Sequence, residues 1–173
     1  MSFIGKKILQ IRNKSNKQNR PKIDALNFEQ SKTVGLFYTW EHKAKMEAVD
    51  EFRESLIAEG KEVNVLCFNP LKEDVNCIHS LFGIESLSSL GKIKSNLVEE
   101  FNSRRFDYLI VLDFELSEIS SHIMSNSNAI YRVGVHSEEA LDYFDLLVNV
   151  DQNAGTSQLI EQMIKYIKVI RHD

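Results

Sequence analysis

The 173-residue sequence is poor in the residues that form disulfide frameworks, linkers and membrane spans. Its two cysteines, Cys67 and Cys77, have no CxxC spacing and form no compact zinc motif with His79, so we expect two free thiols and no metal. Two prolines and seven glycines leave little material for a low-complexity linker. No apolar run approaches the roughly 18 residues of a membrane span, and the amino terminus lacks the apolar core of a signal peptide. These absences predict a cytoplasmic protein.

Motifs for the common nucleotide cofactors are also missing. Neither GxGxxG nor GxxxxGK[ST] occurs, and no GxSxG elbow is present. The loop after the first predicted strand, residues 38–42, is bulky and carries Glu41 where the negative charge of a phosphate would lie. The sequence therefore predicts no small-molecule cofactor and no acyl-transfer nucleophile.

Charge is distributed unevenly along the chain. The whole chain has a net charge of −4, and residues 1–23 contain seven basic residues and no acid. The remaining residues therefore carry a net charge of −11. A basic segment joined to an acidic body predicts a polyanionic partner for the segment, such as RNA or a ribonucleoprotein. The candidate contact residues are Lys6, Lys7, Arg12, Lys14, Lys17, Arg20 and Lys22.

The same segment supports other interpretations. Apolar residues between Phe3 and Ile11 recur near helical spacing among lysines, which predicts a short amphipathic helix, whereas residues 13–22 have no apolar side chain and indicate an extended arm. The helix could bind an anionic membrane surface or dock on the protein's own body. A fourth interpretation is a solvated terminus that only aids solubility. We place the basic, partly helical arm at residues 1–22 and a single domain at residues 23–173.

The rest of the chain alternates apolar, β-prone runs with amphipathic helices. Strands are predicted at 33–38, 63–68, 108–112, 129–135 and 146–150, with a further short strand near 86–90. Helices are predicted around 46–56, 93–101, 117–124, 137–139 and 159–170, with Gly60 as a C-terminal cap and Ser117 as an N-cap. This pattern predicts an α/β, Rossmann-like three-layer sandwich: a mostly parallel sheet of five to six strands with helices on both faces.

Ligands of open parallel sheets bind outside the carboxyl ends of the strands, where the strand order switches. The side chains that follow the predicted strands form a candidate strand-end pocket: Trp40, Glu41, His42, Asp113, Glu115 and His136. Carboxylates and histidines at such an edge could act as general acids and bases. The alternative is that the acids cap turns and helix starts and that the histidines are exposed.

Two resemblances involve these segments. The chain resembles an uncharacterised family of bacterial proteins of similar length, through KTVGL at 32–36, GKEV at 60–63, LGKIK at 90–94, FDYLI at 106–110 and VGV at 133–135. More remotely, FDYLIVLD at 106–113 and YRVG at 131–134 are similar to the amino-terminal half of heptosyltransferase-like GT-B glycosyltransferases. That similarity implies a Rossmann-like half of an enzyme whose other domain binds a nucleotide sugar.

Together these observations favour a non-enzymatic binding protein whose basic arm contacts RNA or a ribonucleoprotein. One alternative is a small-molecule-binding or enzymatic domain with a degenerate glycosyltransferase-like site at the strand ends. Another is a peripheral membrane protein anchored through the amino-terminal helix.

Overall fold

Six strands form one sheet in which every neighbouring pair is parallel. This computed structural model describes residues 27–151 and 153–169. The strands are β1 (Thr33–Thr39), β2 (Glu62–Asn69), β3 (Ser80–Gly83), β4 (Tyr108–Val111), β5 (Tyr131–Val135) and β6 (Leu146–Val148). Their order, β3-β2-β1-β4-β5-β6, reverses between β1 and β4, as in Rossmann-like domains. The predicted fold class is confirmed.

Helices cover both faces of the sheet. They are α1 (Lys43–Ala58), α2 (Asn96–Ser103), α3 (Glu118–Asn126) and α4 (Thr156–Val169), with short 3-10 helices at Phe28–Gln30, Ile84–Ser86 and Glu139–Asp142. One core cluster joins α1 and α4 to the sheet, and a second joins α2 and α3 to the opposite face. In β1, Leu36 faces the first cluster and Phe37 the second, and neither side chain is exposed. Burial on both faces explains why the strands are continuous apolar runs.

The helix boundaries follow from capping. Helix α1 buries Val49, Phe52 and Leu56 at helical spacing, and the chain then turns at Gly60, whose φ of 82° lies in the left-handed region that glycine adopts without strain. Helix α3 starts after Ser117, which forms a reciprocal capping box with Ser120. Both predicted caps are confirmed.

The region 70–92 differs from the prediction. No strand runs over residues 86–90; the structure has β3 at Ser80–Gly83, and Leu87 makes only an isolated antiparallel bridge with Ile93. Strand β3 is a four-residue edge strand that pairs with the second half of β2, so its sequence contains no long apolar run. Ile93 accordingly precedes α2, which starts at Asn96.

The predictions for residues 1–22, and for a domain that begins at residue 23, lie outside the described residues. Within 27–151 and 153–169, none of the helices has the length and hydrophobicity of a bilayer span.

Candidate functional site

Two aspartates at the ends of β4 hold the ends of β1. Asp107, which precedes β4, accepts hydrogen bonds through Oδ2 from the backbone N–H groups of Lys32 and Thr33 at 2.7 and 3.0 Å. Asp113, beyond the other end, accepts from the Thr39 N–H through Oδ1 and from the Thr39 hydroxyl through Oδ2, both at 2.8 Å. The two acids of the FDYLIVLD segment therefore fasten β1 to β4 at the switch point.

Asp113 is also the partner of a buried lysine. The Nζ of Lys45 donates to Asp113 Oδ1 at 2.8 Å and to Glu41 Oε1 at 2.5 Å. Lys45 is 1% exposed and Asp113 is 7% exposed, whereas half of the Glu41 side chain is in solvent. Burial alone lowers the pKa of Lys45, but the carboxylates of Asp113 and Glu41 more than offset it, so the pKa is raised. The ammonium stays charged, and with two acidic partners it is not a free base or nucleophile.

The amino terminus of α1 is capped by the chain itself. His42 is the N-cap, and its Nδ1 accepts from the Lys45 backbone N–H at 3.1 Å. In nucleotide-binding α/β proteins this helix end faces a phosphate. Here the His42 imidazole accepts a hydrogen bond from one backbone N–H of this helix end, and the adjacent Glu41 adds negative charge.

The remaining predicted pocket residues lie in different surroundings. Trp40 packs in the core of the α1 and α4 face, 9% exposed, and its backbone N–H donates to the Phe68 carbonyl. Glu115 and His136 are exposed after β4 and β5, and within the described part of the chain the structure gives neither side chain a hydrogen bond to Lys45. Glu41, His42 and Asp113 thus meet around Lys45, and the other three do not join them.

Lys45 is the residue that the sequence analysis missed. A lysine between Ala44 and Met46 is typical of a solvated helix face. Its position contains a signal, however, because Lys45 precedes Val49, Phe52 and Leu56 at steps of four, three and four, on the buried stripe of α1. A charge on such a stripe predicts a buried partner.

A groove of about 340 Å³ runs along the sheet edge, away from this cluster. Strand β3 begins opposite Leu66, so within the part of the chain that the structure describes Glu62 to Val65 have no neighbouring strand on that side, where the groove lies. The Glu62 N–H donates to the Lys32 carbonyl, and the Phe68 carbonyl accepts from the Trp40 backbone N–H. The backbone groups of even-numbered residues in β2 therefore point toward β1, and those of Val63 and Val65 point into the groove.

The comparison with protein families classifies the chain. The model of a family described as a family of unknown function, DUF6913, matches residues 2–170. The chain belongs to this family. Searches of curated proteins and of solved structures found no match.

For this DUF6913 protein, membership of an uncharacterised family is confirmed, and the local similarity of residues 106–134 to heptosyltransferase-like enzymes stays a prediction. Within that stretch Asp107 and Asp113 hold backbone groups of β1, which is a structural role. The Lys45 cluster holds the sheet and α1 together, and its polar atoms are engaged with one another.

Proposed function

We propose that this DUF6913 protein binds single-stranded RNA through the phosphates, using its basic segment at residues 1–22, while the α/β body acts as a scaffold. The observation that carries the proposal is the separation of charge. Residues 1–23 hold seven basic residues and no acid, whereas residues 27–169 hold 13 basic and 23 acidic residues, a net charge of −10. The segment attracts a polyanion and the body repels it.

The carboxyl edge of the sheet supports this division. The exposed acids Glu41, Glu115 and Asp151 follow β1, β4 and β6 there, and the buried Lys45 is already paired with two carboxylates. Phosphate groups therefore meet net negative charge at the edge where α/β proteins usually bind nucleotides. Contacts through the lysines and arginines of residues 1–22 fix no base sequence, so binding should be salt-sensitive and insensitive to sequence.

The experiment compares two variants of equal net charge. In the first, the seven basic residues of the segment become glutamine. In the second, seven exposed basic residues of the body become glutamine: Lys32, Lys43, Lys72, Lys92, Lys94, Arg105 and Lys165. Each variant has a net charge of −11. We measure affinity for a fluorescent homopolymer RNA by anisotropy over a range of salt concentrations.

We expect the unmodified protein to lose affinity steeply with salt. Seven phosphate contacts on a single strand correspond to a slope of about −5 in log K against log salt. The segment variant should lose this binding, and the body variant should keep or strengthen it. Equal losses in the two variants, or no binding by the unmodified protein at low salt, would overturn the proposal. Retention of the unmodified protein on anionic vesicles in that case would favour the membrane interpretation.

A further inference from the structure

A second cluster of reactive side chains lies on the α1 face of the sheet and shares none of its residues with the Lys45 cluster. Tyr38 of β1 and Cys67 of β2 are direct partners in the strand register. The segment that leads into β3 brings Cys77 and His79 against them, and α1 contributes Asp50. Five residues from four parts of the chain thus form one cluster that contains the Tyr38 phenol.

Hydrogen bonds connect four of these side chains in a row. The Tyr38 hydroxyl is 3.4 Å from Cys77 Sγ and 3.0 Å from His79 Nδ1. The Nε2 of His79 is 3.3 Å from Asp50 Oδ1, which also accepts from Arg53 Nε at 2.9 Å. The row therefore leads from a thiol, through a phenol and an imidazole, to a carboxylate that an arginine holds in place.

The chemistry of the groups assigns the direction of these bonds. An ionised carboxylate only accepts, so His79 Nε2 carries a proton and donates to Asp50. Burial lowers the pKa of His79 more than Asp50 raises it, so the ring is neutral and its Nδ1 has a free lone pair. The Tyr38 hydroxyl donates to that lone pair and accepts from the Cys77 thiol. Each hydrogen bond of the row therefore has its donor on the side of the Cys77 sulfur and its acceptor on the side of Asp50.

The two thiols differ in access. Cys67 is fully buried, and Cys77 is half-buried. Cys67 is the register partner of Tyr38, and Cys77 Sγ lies 3.4 Å from the Tyr38 hydroxyl, so both cysteines are neighbours of the same tyrosine. Burial raises the pKa of Cys67, which keeps this thiol protonated and leaves Cys77 as the accessible partner.

We propose that Cys77 and Cys67 are a reactive dithiol that a hydroperoxide oxidises to a disulfide, with the Tyr38–His79–Asp50 row accepting the Cys77 proton. This activity is independent of RNA binding. The proposal gives a function to the Tyr38–His79–Asp50 row, which does not belong to the Lys45 cluster at the strand ends.

The reaction takes place in two balanced steps. Cys77 transfers its proton through Tyr38 to His79, and its sulfur attacks the peroxide. The O–O bond breaks, a sulfenic acid forms, and the departing oxygen takes the proton held by His79 and leaves as an alcohol or water. The Cys67 sulfur then attacks the sulfenic sulfur, the S–S bond forms, and the sulfenic hydroxyl leaves with the Cys67 proton as water. Two thiols lose two electrons, and the peroxide bond gains them.

The test treats the reduced full-length protein with hydrogen peroxide and follows free thiols and intact mass. We expect the mass to fall by two hydrogens with loss of both thiols. In Cys67→Ser the reaction should stop at a Cys77 sulfenic acid that dimedone traps, and in Cys77→Ser the remaining thiol should react at least about tenfold more slowly.

The row is tested with two matched tyrosine variants. Tyr38→Phe removes the hydroxyl of the row, and Tyr108→Phe removes one from an equally buried tyrosine of β4. We expect at least about a tenfold slower reaction in Tyr38→Phe, since a positioned proton acceptor contributes a hundredfold or more in favourable cases, and an unchanged rate in Tyr108→Phe. Circular dichroism verifies that both variants are folded.

Three results would overturn the proposal: peroxide produces no intramolecular disulfide, the bond forms between molecules, or the two tyrosine variants react at the same rate.

Discussion

A lysine that is 1% exposed brings a positive charge into the core of this protein. Lys45 is tolerated there because Asp113 is buried beside it and Glu41 closes the cluster from the solvent side. A buried pair of this kind contributes little beyond a well-packed apolar pair, but the loss of one partner leaves an uncompensated charge. The two carboxylates should therefore differ strongly in importance.

We expect Asp113→Ala to lower the free energy of unfolding by about 3 to 5 kcal/mol, because the Lys45 ammonium loses its buried partner and Thr39 loses two hydrogen bonds. Glu41→Ala, which removes a half-exposed partner, should cost less than about 1 kcal/mol. Urea unfolding followed by circular dichroism measures both values. Adding Lys45→Met to Asp113→Ala should restore part of the loss, and equal losses in the two single variants would contradict this account.

At the scale of helices and strands, packing is tight enough that a methyl group matters. Gly134 lies in β5 under the ring of Phe144, and a Cβ at this position would lie 2.5 Å from the nearest ring carbon. The strand therefore needs glycine for close approach of an aromatic ring rather than for an unusual backbone angle.

We expect Gly134→Ala to lower the free energy of unfolding by about 1 to 3 kcal/mol, because the Phe144 ring must move out of its position. Gly155→Ala is the matched control, since nothing lies within 4 Å of its Cβ position, and its effect should stay within about 0.5 kcal/mol. Denaturant midpoints separate the two outcomes. A control variant as unstable as Gly134→Ala would refute the steric explanation.

The elements differ in how far the sequence predicts them. Strands β1 and β4 are buried on both faces, so their uninterrupted apolar runs identify them. Strand β3 was misplaced because an edge strand of four residues needs few apolar side chains. At the strand ends, the sequence identified Asp113 as a candidate pocket residue, and its partner Lys45 was missed because lysine is rarely buried. The contacts of the Tyr38 row join residues 29 to 41 positions apart in the chain, and no local sequence pattern reveals such contacts.

For the molecule as a whole, buried phenols determine the response to alkali. Tyr38 and Tyr108 have no exposed surface and belong to one core. Burial raises the pKa of Tyr108 to about 12 and raises that of Tyr38 further. In the unfolded chain a tyrosine ionises near pH 10, so above that value the folded protein holds more protons than the unfolded chain.

Stability should therefore fall as pH rises above about 10, by up to about 1.4 kcal/mol per pH unit for each of these tyrosines. For Tyr108 the loss is complete near pH 12. Urea unfolding between about pH 8 and pH 11, which brackets the ionisation of a phenol in the unfolded chain, measures the slope. Tyr38→Phe should reduce it, and the exposed control Tyr166→Phe should leave it unchanged; an identical slope in Tyr38→Phe would contradict this explanation.

The short reach of β3 has a consequence for contacts between molecules. The unpaired N–H and C=O groups of an exposed strand edge can pair with a strand of another molecule and so start aggregation. Among the described residues, Glu62 to Val65 of β2 lack a neighbouring strand on the β3 side, and Arg53 and Arg104 line the groove there. A foreign strand that adds on would collide with Ser80 after four residues. This part of the β2 edge is therefore short and flanked by charged side chains, which disfavours the addition of a strand from another molecule there.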